Sequence, residues 1–157
     1  MNISMNSKPT RTPTIGFLGG GKMGGAIMTS LIKANIVQAS LIKVCDAVPA
    51  RLEQLKKECQ VKTATVDEIV RTCDVVFLAV KPQDMGALLE SIPAADVAKP
   101  LYISIAAGRQ IKWLEARLPG ARVIRVMPNL AVSVGLGMSG FCGGSQTRLR
   151  DMKLASR

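Results

Sequence analysis

The chain has 157 residues, of which 48% are hydrophobic and 20% charged, a composition typical of one folded domain with a substantial core. Aromatic residues make up only 3%, so the core has to be built mainly from aliphatic side chains. The formal net charge is +10 and histidine is absent, which excludes a Ser-His-Asp triad, a Cys-His pair, imidazole-ligated zinc and a histidine general acid.

Segments typical of strands alternate with segments typical of helices along most of the chain. The helical segments carry apolar residues on one face, and the continuous apolar run Asp74–Val80 is expected of a parallel strand buried on both faces. The predicted strands are Thr14–Leu18, Leu41–Cys45, Val61–Lys62, Asp74–Val80, Leu101–Ile105 and Arg122–Met127. The predicted helices are Lys22–Ala34, Pro49–Cys59, Asp67–Arg71, Gln83–Ser91 and Arg109–Leu118. This alternation predicts an α/β fold: a Rossmann-type doubly wound, mostly parallel sheet in three α/β/α layers.

The chain is expected to hold one domain between two tails. Residues 13–144 are predicted to form this Rossmann domain, and residues 1–12 and 145–157 are expected to be loose polar tails. The longest strongly apolar strand, Val75–Val80, is too short to span a bilayer, and no signal peptide is visible, so we expect a cytoplasmic protein without a membrane partner. The four cysteines include no CxxC pair, and three of them lie in predicted buried strand or helix segments. Small core residues are therefore the expected role, and no metal site is expected.

A glycine-rich turn follows the first predicted strand. Gly19-Gly20-Gly21-Lys22-Met23-Gly24 fits G-x-G-x-x-G and opens a predicted helix, the context that a dinucleotide fingerprint requires. Gly19 would allow the tight turn, Gly21 would let the backbone approach a pyrophosphate, and Gly24 would let helix and strand pack closely. The helix N-terminus would offer free N–H groups to the phosphates. The alternative interpretation is a glycine-rich turn without a ligand.

Asp46 lies 22 residues after Gly24, at the end of the second predicted strand. A carboxylate there would accept hydrogen bonds from the adenosine ribose hydroxyls, which favours NAD. It would repel a 2′-phosphate unless Lys43 or Arg51 compensates its charge. The alternative role for Asp46 is a helix N-cap or a solvated loop acid.

Three later strand ends form a second group of candidate residues, because ligands of open α/β sheets bind beyond the carboxyl ends of the strands. Small residues at 106–108 would leave room for a flat ring, and Asn129 could hydrogen-bond an amide or a carboxylate. The three ends are Val80-Lys81-Pro82, Ser104-Ile105-Ala106-Ala107-Gly108 and Met127-Pro128-Asn129. Together they favour a nicotinamide site, with NADP or NAD as the cofactor.

Five motifs, in the same order, resemble those of pyrroline-5-carboxylate reductase over roughly residues 13–142. The motifs are IGFLGGGKMGGAI (15–27), DVVFLAVKPQ (74–83), ISIAAG (103–108), RVIRVMPN (122–129) and GLGMSG (135–140). The resemblance implies the reduction of 1-pyrroline-5-carboxylate to L-proline by NADPH or NADH, the last step of proline biosynthesis. A chain without histidine suits this reaction, because a cyclic imine is protonated beforehand and hydride transfer then needs mainly positioning of the nicotinamide.

The resemblance also implies which residues contact the cofactor and the substrate, and it assigns no catalytic side chain. Met127, Pro128 and Asn129 would flank the nicotinamide and the substrate. The implied cofactor contacts are Leu18, Gly19, Gly20, Gly21, Lys22, Met23, Gly24, Asp46, Ala79, Val80, Lys81, Pro82, Ser104, Ala106, Ala107 and Gly108.

The chain departs from the family pattern at several points. Lys22 stands where the family commonly has Asn, Ala47 where an Arg often follows the acid, and Leu130 replaces a Thr beside the substrate site. The family continues into a helical domain that builds the dimer and completes the substrate pocket, whereas SQTRLRDMKLASR (145–157) does not resemble the start of that domain. We therefore expect the cofactor-binding half of the enzyme, as a truncated, frameshifted or stand-alone product, with self-association through uncovered apolar surface.

Three other functions compete with this interpretation. The first is a non-catalytic dinucleotide-binding or regulatory module. The second is another reductase of the same fold, such as a deazaflavin-dependent NADP reductase, which the motif series disfavours. The third is nucleic-acid binding: the basic charge permits it, but it also suits an anionic small ligand, and few aromatics are available for base stacking.

Overall fold

The computed structural model of the chain describes residues 11–128 and 139–156. Its strands are β1 (Ile15–Leu18), β2 (Ile42–Cys45), β3 (Lys62–Thr63), β4 (Val75–Leu78), β5 (Leu101–Ser104), β6 (Arg122–Pro128) and β7 (Ser139–Gly143). Its α-helices are α1 (Lys22–Lys33), α2 (Pro49–Cys59), α3 (Val66–Thr72), α4 (Met85–Glu90), α5 (Ile111–Glu115) and α6 (Leu149–Ala155). A 3-10 turn at Ala39–Leu41 leads into β2.

The strands form one seven-stranded sheet in the order β3-β2-β1-β4-β5-β6-β7. The first six strands run parallel, with Ile15 of β1 opposite both Ile42 of β2 and Val75 of β4. β7 runs antiparallel to β6, with Gly140 opposite Met127. The chain winds outward from β1 in one direction and from β4 in the other, so the strand order reverses between these neighbours. The predicted Rossmann-type fold is confirmed.

Helices cover both faces of the sheet, as the three-layer prediction requires. On one face, Met28 of α1 and Leu55 of α2 pack with Phe17, whose ring stacks on Phe77 at 4.7 Å between centroids. On the opposite face, helices α3, α4 and α5 contribute fully buried side chains to the larger core cluster. These side chains include Ile69, Val70, Met85 and Leu114.

All the predicted strands and helices are present, although several of their ends differ. The largest difference is in α5, which spans Ile111–Glu115 and not Arg109–Leu118. Gln110 takes an extended conformation at its start, so Arg109 lies in the preceding loop and not in the helix. β7 and α6 were not predicted.

The expectation of a loose polar tail at residues 145–157 is wrong for most of that segment. Helix α6 lies against the sheet, with Met152 and Leu154 packed on a cluster that includes Ile103 and Ile124. Helices α1 and α2 do not cover this part of the sheet face. The few apolar side chains of α6 can therefore be buried against it. Of the other expected tail, residues 1–10 lie outside the described residues, and the domain limits of 13 and 144 stay a prediction.

The cysteines are only partly the core residues that were expected. Cys73 is buried, and Cys45 and Cys59 are half-buried, whereas Cys142 on β7, which lies outside the predicted buried segments, is exposed. Burial is the main cause that raises the pKa of the Cys73 and Cys45 thiols, which keeps both protonated and unreactive near neutral pH. Within the described part of the chain, every helix is too short or too polar to cross a membrane.

Candidate functional site

The glycine-rich turn between β1 and α1 brings three backbone segments into very close contact. Gly19 has a φ of +105°, and a Cβ there would lie 2.7 Å from the carbonyl carbon of Ala79. A Cβ on Gly24 would lie 2.6 Å from the carbonyl oxygen of Gly19. Side chains at these two positions would force β1, α1 and the end of β4 apart, so glycine is required at both.

Gly21 differs from these two glycines, because nothing lies within 4 Å of the position its Cβ would occupy. Gly21 is also the N-cap of α1, and no side chain caps this helix end. The first turn of α1 contains no acidic residue, and Lys22 there is exposed. The free N–H groups and the positive end of the helix dipole therefore face an open space beside a lysine, a combination that favours a bound anion.

Asp46 lies against the glycine-rich turn at the end of β2. Its Oδ2 accepts a hydrogen bond of 2.7 Å from the Gly20 N–H, and its Oδ1 accepts one of 2.9 Å from the Val48 N–H. The carboxylate therefore anchors the turn. Each carboxylate oxygen can accept a further hydrogen bond, so the predicted contact with a ribose stays a prediction.

Only one of the two candidate cations near Asp46 lies at the glycine-rich turn. Arg51 on α2 donates from Nε to the Gly20 carbonyl over 2.5 Å and from Nη2 to the Gly21 carbonyl over 3.3 Å. Lys43 instead donates from Nζ to Glu68 on α3 over 2.6 Å, and this hydrogen bond lowers the pKa of the Glu68 carboxyl. Lys43 is thus engaged by α3, whereas Arg51 lies at the glycine-rich turn together with Asp46.

The carboxyl ends of β1, β4 and β5 lie side by side. The Ala79 N–H donates to the Leu18 carbonyl over 2.8 Å, and the Ile105 N–H donates to the Leu78 carbonyl over 3.3 Å. The loops that follow these strands therefore form one continuous edge. The predicted site residues Lys81, Ala107 and Gly108 are exposed there, Ala79, Val80 and Pro82 are half-buried, and Ala106 is buried.

Two predicted contact residues have side chains that cannot reach a ligand. Leu18 is 1% exposed and Ser104 is fully buried. The Ser104 hydroxyl oxygen accepts a hydrogen bond of 3.4 Å from the Ala106 N–H, so it braces the loop after β5. A cofactor could meet only the backbone at these two positions.

The end of β6 adds Met127, whose side chain is half exposed beside the β5 loop. Pro128 is the last residue of β6 and pairs through its backbone with Ser139. Asn129 and Leu130 lie outside the described residues, so their predicted positions beside the substrate stay a prediction.

Two arginines at this edge were not recognised as site residues from the sequence. Arg109 donates from Nε and Nη2 to the Pro82 carbonyl over 3.2 and 2.8 Å. Arg125 donates from Nη2 to the sulfur of Met127 over 3.0 Å. For Arg109 the sequence does contain a local signal: Arg109, Trp113 and Arg117 are spaced four residues apart.

These residues fit a nicotinamide dinucleotide. The turn at Gly21 leaves an open space beside an uncapped helix, and the exposed Ala107 and Gly108 leave room beyond β5 for a flat ring. Over residues 11–128 and 139–156, no cluster of three His, Cys, Asp or Glu side chains could hold a metal ion.

Comparison with known proteins agrees with this geometry. Residues 14–108 match the family model described as NADP oxidoreductase, coenzyme F420-dependent. The pyrroline-5-carboxylate reductase of Methanosarcina acetivorans is 40% identical over 143 residues, which cover 90% of this chain and 53% of that protein.

Solved structures give the same result. A pyrroline-5-carboxylate reductase from Coxiella burnetii superposes with a TM-score of 0.85 at 30% identity, covering 92% of this chain and 54% of that one. The Plasmodium falciparum pyrroline carboxylate reductase, solved with NADP bound, gives a TM-score of 0.80 at 28% identity, covering 91% of this chain and 52% of that one. The chain thus spans about half the length of the relatives it matches.

The relatives also bear on the alternatives raised by the sequence. The description of the family model is that of the deazaflavin-dependent reductases considered above, whereas the relatives named here are pyrroline-5-carboxylate reductases. The resemblance drawn from the five motifs is therefore confirmed. With 95 of its 157 residues inside the matched range (14 to 108), the chain belongs to the NADP oxidoreductase, coenzyme F420-dependent family.

Proposed function

We propose that this chain binds NADPH or NADH along the carboxyl edge of its sheet, as the cofactor-binding half of a pyrroline-5-carboxylate reductase. The observation that carries the proposal is the turn at Gly19–Gly24, where close packing on both sides leaves an open, uncapped helix end at Gly21. The relative from Plasmodium falciparum, solved with NADP bound, supports a nicotinamide dinucleotide as the cofactor.

The strand order supports a place for each part of the dinucleotide. The diphosphate binds the N-terminus of α1 at Gly21–Met23, and the adenosine extends toward Asp46 on β2. The nicotinamide then extends to the other side of β1, toward the loops at 79–82 and 104–108. The substrate binds beside Met127, Pro128 and Asn129.

The proposed reaction is the reduction of 1-pyrroline-5-carboxylate to L-proline. The bound nicotinamide supplies the hydride, and the residues of this chain orient its ring and shield it from water. The names of the relatives support this substrate. A cytoplasmic location and a homo-oligomer are part of the same proposal.

A second candidate is a dinucleotide-binding module that does not catalyse the reaction by itself. The geometry at the Gly19–Gly24 turn, which carries the proposal, concerns cofactor binding and not turnover, and this favours the second candidate. The two candidates share the cofactor site and differ only in turnover.

Calorimetric titration of the full chain with NADPH and NADH, followed by an assay of pyrroline-5-carboxylate reduction, tests both candidates. Binding with turnover supports the enzyme, and binding without turnover supports the module. The matched variant is Gly21→Asp, which places a carboxylate at the open helix end. Because a Cβ meets no atom there and Asp is a favourable N-cap, we expect this variant to fold normally and to lose dinucleotide binding. Unchanged binding by a folded Gly21→Asp protein would refute the proposed diphosphate site.

A further inference from the structure

Arg109 connects two loops that lie at the proposed nicotinamide end of the site. It follows Gly108, whose φ of +69° turns the chain after β5. Its Nε and Nη2 both donate to the carbonyl oxygen of Pro82, which follows β4 and lies 27 residues earlier in the chain. One guanidinium therefore holds the Lys81–Pro82 turn against the loop at 104–108.

The same guanidinium also lies over an aromatic ring. The Cζ of Arg109 lies 4.5 Å from the ring centroid of Trp113, and the Cζ of Arg117 lies 3.9 Å from it. Trp113 packs against the larger core cluster, and this packing fixes the position of the ring. The planar guanidinium can stack on this ring and donate two hydrogen bonds at once, which a lysine ammonium cannot do.

Arg109 also keeps its charge available to an anion. In residues 11–128 and 139–156 it has no ion-pair partner, and the acceptor it contacts is an uncharged carbonyl. Because Gly21 and Asp46 lie on the other side of the switch point, Arg109 is well placed to influence the nicotinamide half and not the adenosine half of a dinucleotide.

We propose that Arg109 is a positioning residue that forms the nicotinamide half of the cleft before the cofactor arrives. This inference rests on the proposed function, and it adds a specific role for one side chain. A loop held in its binding conformation by the apo protein loses less entropy when a ligand binds. Without Arg109, the Lys81–Pro82 turn loses its connection to the β5 loop, and the nicotinamide has to order both loops itself.

The test compares NADPH with 2′-phospho-ADP-ribose, which lacks the nicotinamide ring. Calorimetric titration of the full chain gives the affinity of both ligands for wild type, Arg109→Ala and Arg117→Ala. We expect Arg109→Ala to weaken NADPH binding about tenfold, the effect of losing a hydrogen bond to a charged group. Its affinity for 2′-phospho-ADP-ribose should stay at the wild-type level. Arg117→Ala is the matched control, since Arg117 stacks on the same ring without contacting Pro82, and it should bind both ligands as wild type does.

A second readout needs no cofactor. Hydrogen–deuterium exchange of residues 81–84 in the apo protein follows the turn closed by the hydrogen bond from the Asp84 N–H to the Lys81 carbonyl. Arg109→Ala should exchange faster there and Arg117→Ala should not. Arg109→Lys can still donate one hydrogen bond to Pro82, so it should recover part of the NADPH affinity, and it replaces the alanine variant if that variant unfolds.

The outcomes separate the inference from the proposed function. If Arg109→Ala weakens both ligands equally, or neither, Arg109 does not act on the nicotinamide half and the inference is overturned. Unchanged exchange at residues 81–84 overturns it as well. A wild-type chain that binds only NADH is tested in the same way with NADH and ADP-ribose. If the wild-type chain binds neither NADPH nor NADH, the proposed function fails, and the inference fails with it.

Discussion

Arg122 at the start of β6 and Asp151 in α6 form an ion pair in which Nη1 and Oδ1 are 2.6 Å apart. The Asp151 side chain is only 3% exposed, and its Oδ2 accepts a second hydrogen bond, of 2.9 Å, from the Arg148 N–H. Burial of a carboxylate is favourable only when partners of this kind replace water. The pair therefore fixes the last helix to the sheet.

Replacing Asp151 with alanine should destabilise the protein, because Arg122 would keep a largely buried charge with only the uncharged Lys99 carbonyl as a partner. We expect a loss of about 3 kcal/mol in the free energy of unfolding, measured by urea denaturation. Leu149→Ala is the control in the same helix, since that side chain is 72% exposed and its loss should cost less than about 0.5 kcal/mol. Equal stabilities for the two variants would contradict a structural role of the pair.

Gly24 and Gly86 offer a matched pair of helical glycines. A Cβ at Gly24 would lie 2.6 Å from the Gly19 carbonyl oxygen, whereas one at Gly86 meets nothing within 4 Å. Gly24→Ala should therefore destabilise the fold by about 2 kcal/mol, and Gly86→Ala should stabilise it by about 0.5 kcal/mol. Thermal unfolding of both variants measures the difference. A neutral Gly24→Ala variant would show that α1 can move away from β1 without cost.

Tyr102 on β5 is fully buried, and its hydroxyl has no hydrogen-bond partner among the described residues. Tyr102→Phe removes this unsatisfied polar group and keeps the ring, so we expect a gain of about 1 kcal/mol in stability. Tyr102→Ala, by contrast, should lose about 4 kcal/mol through the cavity it leaves. Denaturation with guanidinium measures both, and a loss of stability in the phenylalanine variant would mean that the hydroxyl has a bonding partner after all.

The same tyrosine predicts an alkaline limit to stability. Burial, and secondarily the charge of Asp96, raise the pKa of Tyr102 well above its ordinary value. In the unfolded chain Tyr102 ionises above pH about 10, while in the folded protein it stays neutral. The stability due to this residue is therefore complete below pH about 10 and falls as the pH rises toward the folded pKa. Tyr102→Phe should show a weaker decline above pH about 10, and parallel curves for the two proteins would contradict this.

Asp46 should control the choice between NADPH and NADH. Its carboxylate lies beside the predicted adenosine site and would repel a 2′-phosphate, so Asp46→Ser should raise the affinity for NADPH relative to NADH on the order of tenfold. Serine can still accept a hydrogen bond from a neighbouring N–H. Glu53→Gln removes the same charge from an exposed position on α2 and is the control. A strong NADPH preference in the wild-type chain would refute this role of Asp46.

The parallel part of the fold was predictable because its signals are local. Apolar runs bounded by Gly, Pro or Asp mark β1, β4, β5 and β6, and the periodic apolar faces mark the helices. β7 and α6 lack such signals. β7 has the sequence SGFCG and becomes a strand through its pairing with β6, while α6 is a short, polar helix whose position depends on Arg122 and on an open sheet face.

The candidate site was predictable to a similar extent. The glycines of the turn were found from their spacing, which directly reflects the close packing of β1, α1 and β4. The anchoring role of Arg51 could not be found in this way, and the four-residue spacing around Arg109 does not reveal its contact with Pro82. Each of these side chains donates to a backbone carbonyl that lies 27 or more residues away in the sequence. Because every residue has a backbone carbonyl, the residue types do not show which one accepts the hydrogen bond.

Gly20 is held at both ends of its backbone by one β–α unit, since Asp46 accepts from its N–H and Arg51 donates to its carbonyl. An engineer who transplants the glycine fingerprint into another scaffold should therefore move residues 46–51 with it. A grafted loop without residues 46–51 would lose both hydrogen-bonding anchors. It would then sample many backbone conformations, even though every glycine of the consensus had been copied.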